Sequence, residues 1–180
     1  MRFCDARVLI VMVCLTACSS SIRMRPFLDG YPGTITKSST TASFETPDGW
    51  RISDSKRSSF GRVSVASQSG GGSIDLLFGR LDPTGEATPE GQSQAYLRAV
   101  HSKTDPDVTM IPISEAINGL HGAIPIYHMS SGYFGNRLHA ECVAAPVGIS
   151  VELYAADKES MMKSLDSFKE LVSSIRIEQK

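Results

Sequence analysis

From Val147 to Ala155 every second residue is apolar: Val147, Ile149, Val151, Leu153 and Ala155. Successive side chains of a strand point to opposite faces, so this spacing predicts a β-strand with one buried face. A strand buried on one face needs a covering layer, and the chain supplies one at once. Asp157 is placed to cap a final helix, and Met161, Leu165, Phe168, Val172 and Ile175 follow at spacings of four and three. That is the apolar stripe of a helix packed on a sheet.

The rest of the chain extends this pattern. Ser43 to Thr46 and Trp50 to Ser53 alternate around Pro47-Asp48-Gly49, which predicts a hairpin. Arg62 to Ser67 and Ser73 to Leu81 read as two more strands, joined by a flexible turn over Gln68 to Gly72. Thr88-Pro89-Glu90 has the threonine cap and early proline of a helix start. This helix is expected to end near Lys103, before Asp105-Pro106. Tyr96, Ala99 and Val100 give it a modest apolar face. Val108 to Ala116, Ala123 to Ser130 and Asn136 to Ala144 are predicted strands, with a turn at Asn118-Gly119. Strands dominate the middle and helices are few and segregated, so the expected class is α+β.

Composition fits one globular domain, with 41% hydrophobic and 21% charged residues in a chain of 180. Eighteen basic residues against nineteen acidic ones leave a net charge of −1. Nucleic acid is therefore not an expected partner, because phosphate binding needs a basic surface.

The N-terminus sets the destination. Arg2 and Arg7 flank the apolar run Val8 to Leu15. As a helix these eight residues rise roughly 12 Å, against a bilayer core of about 30 Å, so the run reads as the apolar core of a secretory signal. Leu15-Thr16-Ala17-Cys18 follows directly and resembles a bacterial lipobox. The resemblance implies cleavage before Cys18 and lipidation of its thiol. The expected organisation is a signal peptide over 1–17, a lipidated cysteine and flexible tether over 18–41, and a folded domain over 42–180. The tether is rich in Ser, Thr, Gly and Pro, which have little to bury. The expected location is a membrane surface, held by palmitate and the other acyl chains of the lipidated cysteine. Ser19, where an aspartate favours inner-membrane retention, points to an outer membrane facing the periplasm if the source is Gram-negative. Cys4 and Cys14 leave with the signal, so Cys142 is the one free thiol expected in the domain.

A second resemblance covers the domain. Phe44-Glu45-Thr46-Pro47-Asp48-Gly49-Trp50 is similar to the opening of PsbP-like domains. Ser167-Phe168 with Ser174-Ile175-Arg176-Ile177 resembles their close, and Asn118-Gly119-Leu120-His121-Gly122 fits between. The resemblance implies an antiparallel β-sheet flanked by helices, a PsbP-like α/β/α sandwich. With the lipobox it implies the branch of bacterial envelope lipoproteins that is DcrB-like. Such proteins are mostly adaptors or binding modules, so an unidentified envelope protein or small ligand is the expected partner. No catalytic residue and no cofactor is expected.

Motifs for chemistry are scarce. No G-x-S-x-G or H-E-x-x-H occurs. Gly70-Gly71-Gly72 precedes a strand, so it is expected to be a loop and not a phosphate cradle. Asp105-Pro106-Asp107 reads as a helix stop and Trp50 as core. Cys142 lies in an apolar strand without a neighbouring base and is expected to be buried and inert. One constellation merits a test. A turn over Gly132 to Gly135 would set Ser131 against Asn136 and His128 against His139, with Glu141 diagonal on the same face. Two imidazoles and a carboxylate form a sensible zinc set. The expected reading is the polar outer face of a half-buried sheet, with Tyr127, Met129, Leu138, Ala140 and Cys142 on the core side. A metal-dependent enzyme or metal-binding protein using His128, His139 and Glu141 is the alternative.

Overall fold

A computed structural model describes residues 40–54, 62–113, 116–132 and 135–179. The signal segment, the lipobox and Cys18 lie outside them. The centre is a seven-stranded antiparallel sheet, formed by β2 (Trp50–Asp54), β3 (Arg62–Ser67), β4 (Ser73–Arg80), β5 (Thr109–Pro112), β8 (Tyr127–Ser131), β9 (Gly135–Ala144) and β10 (Val147–Tyr154). Their spatial order is β2-β3-β4-β10-β9-β8-β5. Two small pairs stand beside it, β6 (Ile117–Gly119) with β7 (Gly122–Ile124), and β1 (Thr40–Ser43) with β11 (Arg176–Gln179). The α+β expectation is met, with helices α1 (Pro89–Lys103), α2 (Lys158–Lys163) and α3 (Leu165–Ser174).

The alternation in β10 works as expected. Ile149, Val151 and Leu153 join Val63, Val65, Ile74, Leu76, Leu138, Ala140 and Cys142 on one face. Met161, Phe168, Leu171 and Val172 from α2 and α3 complete that core, and Phe168 is fully buried. The single helix expected after Asp157 is broken at Ser164, whose backbone (φ −91°, ψ 0°) leaves the α region. The stripe still faces the sheet across the break. Asp157 Oδ1 accepts from Ser160 N at 2.7 Å, the cap the sequence predicted. Helix α1 starts where expected, with Thr88 Oγ1 accepting from Gly91 N at 3.0 Å. It covers the opposite face of the sheet, across β9.

Four local expectations are corrected. The hairpin around Pro47-Asp48-Gly49 does not form, because β1 pairs with β11 and β2 pairs with β3. Alternation marks strands but carries no record of their partners. Thr40 and Thr41, placed in the tether by composition, already belong to β1. The strand expected over 123–130 is split at Pro125, which has no N–H to give a ladder. Residues 122–124 turn back on β6, so Asn118 and Gly119 are strand residues and the turn is Leu120-His121. Gly122 at φ +117° permits that turn.

Candidate functional site

The face beneath α1 is polar. Strand β9 sends Arg137, His139, Glu141 and Val143 to this side, between its core residues. Strand β10 sends Gly148, Ser150, Glu152 and Tyr154, and β4 sends Asp75, Leu77 and Gly79. Register aligns them in rows: Gly79 with Gly148 and Val143, Leu77 with Ser150 and Glu141, and Asp75 with Glu152 and His139. An outer, solvated face was expected here. Instead α1 lies over it, and His139 is 0%, Glu152 1% and Glu141 7% exposed.

The predicted zinc trio is not assembled. Strand β8 runs one residue out of the expected register: Ser131 pairs with Gly135, His128 with Leu138, and Tyr127 with His139. Pairing reaches one position further into the turn than assumed, and a one-residue slip turns every side chain to the other face. His128 therefore stands on the side opposite His139 and Glu141, where its Nε2 lies 2.8 Å from Asn136 Oδ1. Tyr127 and Met129, expected on the core side, share the face of His139 and Arg137. Among the described residues no group of three His, Cys, Asp or Glu is placed to hold a metal ion.

The register builds a buried ion cluster in place of the trio. His139 Nε2 is 3.4 Å from Glu141 Oε1, and its Nδ1 is 3.5 Å from Glu152 Oε1. These are ion-pair contacts, longer than good N–H···O hydrogen bonds. Arg137 Nη1 is 3.4 Å from Glu152 Oε2, which also accepts from the Tyr154 hydroxyl. Tyr96 of α1 stacks on the imidazole, with centroids 4.5 Å apart and planes 18° from parallel. The Arg137 guanidinium sits 6.0 Å from the Tyr96 ring and 5.9 Å from that of Tyr154.

Burial alone pulls the His139 pKa down, but the two carboxylates outweigh it and raise the pKa to about 9. For Glu152, burial pushes upward and is outweighed by His139, Arg137 and Tyr154, leaving a pKa of about 2. The imidazole is thus a cation held between carboxylates. Withdrawing four charges from water is expensive, and such clusters concentrate at functional sites.

Glu141 and Tyr96 carry the cluster to a cleft. It lies beside α1, has a volume of about 240 Å³ and is lined by Leu77, Gly79, Tyr96, Ala99, Glu141, Gly148 and Ser150, with Arg80 and Asp82 at its rim. Gly79 faces Gly148 across the register; Gly79 is open, whereas the Leu81 side chain covers Gly148. A Cβ added at Gly79 would meet no atom within 4 Å. Glycine inside a strand often marks a place where something approaches the backbone closely. The Ser150 hydroxyl is buried and has no hydrogen-bond partner among the described residues.

Other singled-out residues serve the fold. Trp50 is in the core. Asp105 Oδ1 accepts from Asp107 N at 3.0 Å in the turn after α1. Gly70 and Gly72 form the β3–β4 turn at positive φ. Cys142 is 2% exposed, and burial pushes its thiol pKa far up, which removes it as a nucleophile. Sequence reasoning missed Arg137, Glu152, Tyr154 and Tyr96. The signal was present: Arg137, His139 and Glu141 alternate on one side of Ala145-Pro146, and Ser150, Glu152 and Tyr154 on the other.

No family model and no curated protein matches the chain. Solved structures do match, among them the solution structure of cyanobacterial PsbP (CyanoP) from Synechocystis sp. PCC 6803. It superposes with a TM-score of 0.50 at 15% sequence identity, over 83% of this chain and 98% of that one. At such identity the likeness is one of architecture. The chain has a PsbP-like α+β fold, a mostly antiparallel sheet with a few helices.

Proposed function

We propose that this protein is a membrane-anchored envelope lipoprotein whose PsbP-like domain is a non-catalytic binding or adaptor module. The observation that carries the anchor is Leu15-Thr16-Ala17-Cys18 directly after an apolar run too short to span a bilayer. Each methylene buried by the acyl chains contributes about 0.8 kcal/mol, and several chains together hold a domain on a membrane. The non-catalytic reading is supported by the same face that first suggested chemistry. His139 is sealed under α1, Cys142 is in the core, and His128 lies on the other side of the sheet. A general base must reach the proton it removes. Ser19 after the cysteine supports sorting to an outer membrane facing the periplasm in a Gram-negative source.

The test is metabolic labelling with palmitate. The wild-type chain should incorporate label and fractionate with membranes. Cys18→Ala should do neither, and label still entering that variant would overturn the anchor.

A further inference from the structure

We propose that the cleft beside α1 binds a small molecule bearing a primary ammonium group on a short aliphatic chain. This deepens the binding-module reading and rests on it, but does not depend on the lipid anchor. The two carboxylates of the buried cluster are unequally served. Glu152 meets Arg137, His139 and the Tyr154 hydroxyl. Glu141, on the cleft, meets His139 Nε2 through Oε1. An ionised carboxylate has about four acceptor sites, and burying one with few partners is costly. Beside it, the Ser150 hydroxyl is also buried and unpartnered among the described residues. Row register puts these two residues directly opposite each other.

The surroundings select the ligand. Arg80 and Asp82 at the rim offset each other, and of the charged cluster it is the Glu141 carboxylate that lines the cleft, with its counter-charge His139 wholly buried behind it. Hydrogen bonds from Thr84 hold the Asp82 pKa low, so its charge persists. The Glu141 carboxylate accepts hydrogen bonds, and an ammonium N–H donates them, whereas a quaternary ammonium has none to give. Leu77, Ala99 and the Tyr96 ring supply apolar walls for a short chain. The volume of about 240 Å³ lies just under the range of drug-sized pockets and suits a ligand of a few heavy atoms. Gly79, where a Cβ would meet nothing within 4 Å, lets that ligand lie against the sheet backbone.

The test uses the full chain in detergent micelles, with amide shifts of Gly79, Gly148 and Ser150 as the readout. n-Butylammonium should move all three with a Kd on the order of 1 mM, as expected of a probe this small. Butyrate and tetramethylammonium should bind at least tenfold more weakly. Glu141→Gln should weaken n-butylammonium at least tenfold. Gly79→Val should abolish binding while leaving the ion cluster untouched, because its side chain enters open space on a strand that favours β-branched residues. The proposal falls if the three amides stay still, if butyrate matches the amine, or if Gly79→Val binds as the wild type does. The amine's own spectrum separates the two readings. An unchanged amine supports a binding module, and a converted one overturns that reading even where the amide shifts keep the site.

Discussion

Raising the pH from 6.5 to 9 should remove most of what the protonated His139 contributes to stability. His139 titrates near 6.5 when unfolded and near 9 when folded, so the folded chain holds that proton more tightly by about 3 kcal/mol. A folded pKa raised above the unfolded one means stability that is present below pH 6.5 and lost as pH climbs through 9. Of that amount roughly 2–3 kcal/mol disappears inside this window. The groups facing the imidazole are Glu141 on its own strand, Glu152 and Tyr127 across the register on its two sides, and Tyr96 from α1, with Arg137 and Tyr154 beyond Glu152. Tyr96 and Tyr154 are also raised by burial first and then by Glu152, but their unfolded value of 10 keeps their effect above the window. Cys142 enters only from about 9 upward. Urea unfolding followed by the fluorescence of Trp50, the single tryptophan, gives stability at each pH. A profile flat within about 0.5 kcal/mol between pH 6.5 and 9 would refute the reasoning. So would the His139 C2 proton, assigned among the four histidines by its loss in His139→Gln, titrating near 6.5 in the folded chain.

Two further outcomes follow from the core. Phe168→Ala should destabilise the domain by about 3–5 kcal/mol in urea, since Phe168 is wholly buried at the centre of the helix–sheet contact. A loss under roughly 1 kcal/mol would place that stripe against solvent. Maleimide should label Cys142 slowly near neutral pH and quickly after denaturation; rapid labelling of the native chain would contradict its burial.

Strands and helices were legible where local rules govern. Thr88 and Asp157 mark their helix starts by capping chemistry, and the period of two in β10 fixes its buried face. Partners were not legible, because pairing is decided over long separations. Nothing in Thr40 to Ser43 announces Arg176 to Gln179 as its neighbour. The site failed by a single residue of register in the β8–β9 turn. Polar alternation in β9 was read as solvated because a polar face usually is, and α1 overrides this by burying charges that neutralise one another. A helix with so modest an apolar face fits there because what it covers is itself polar.

The β1–β11 pair closes the described chain on itself. Thr40 stands opposite Gln179 and Ser43 opposite Arg176, so the first and last strands meet at one pole of the molecule. Any pull through the segment before Thr40 arrives first at the Thr40–Gln179 rung. It then peels four rungs one after another, and does not shear them together. The clasp is a separate two-stranded sheet, but its third rung, Ala42 with Ile177, sits in the same core as the seven-stranded sheet. Mechanical tension on the leading segment would thus reach the core at the third rung, where Ala42 parts from Ile177, so the clasp couples the leading segment to the packing beneath α3.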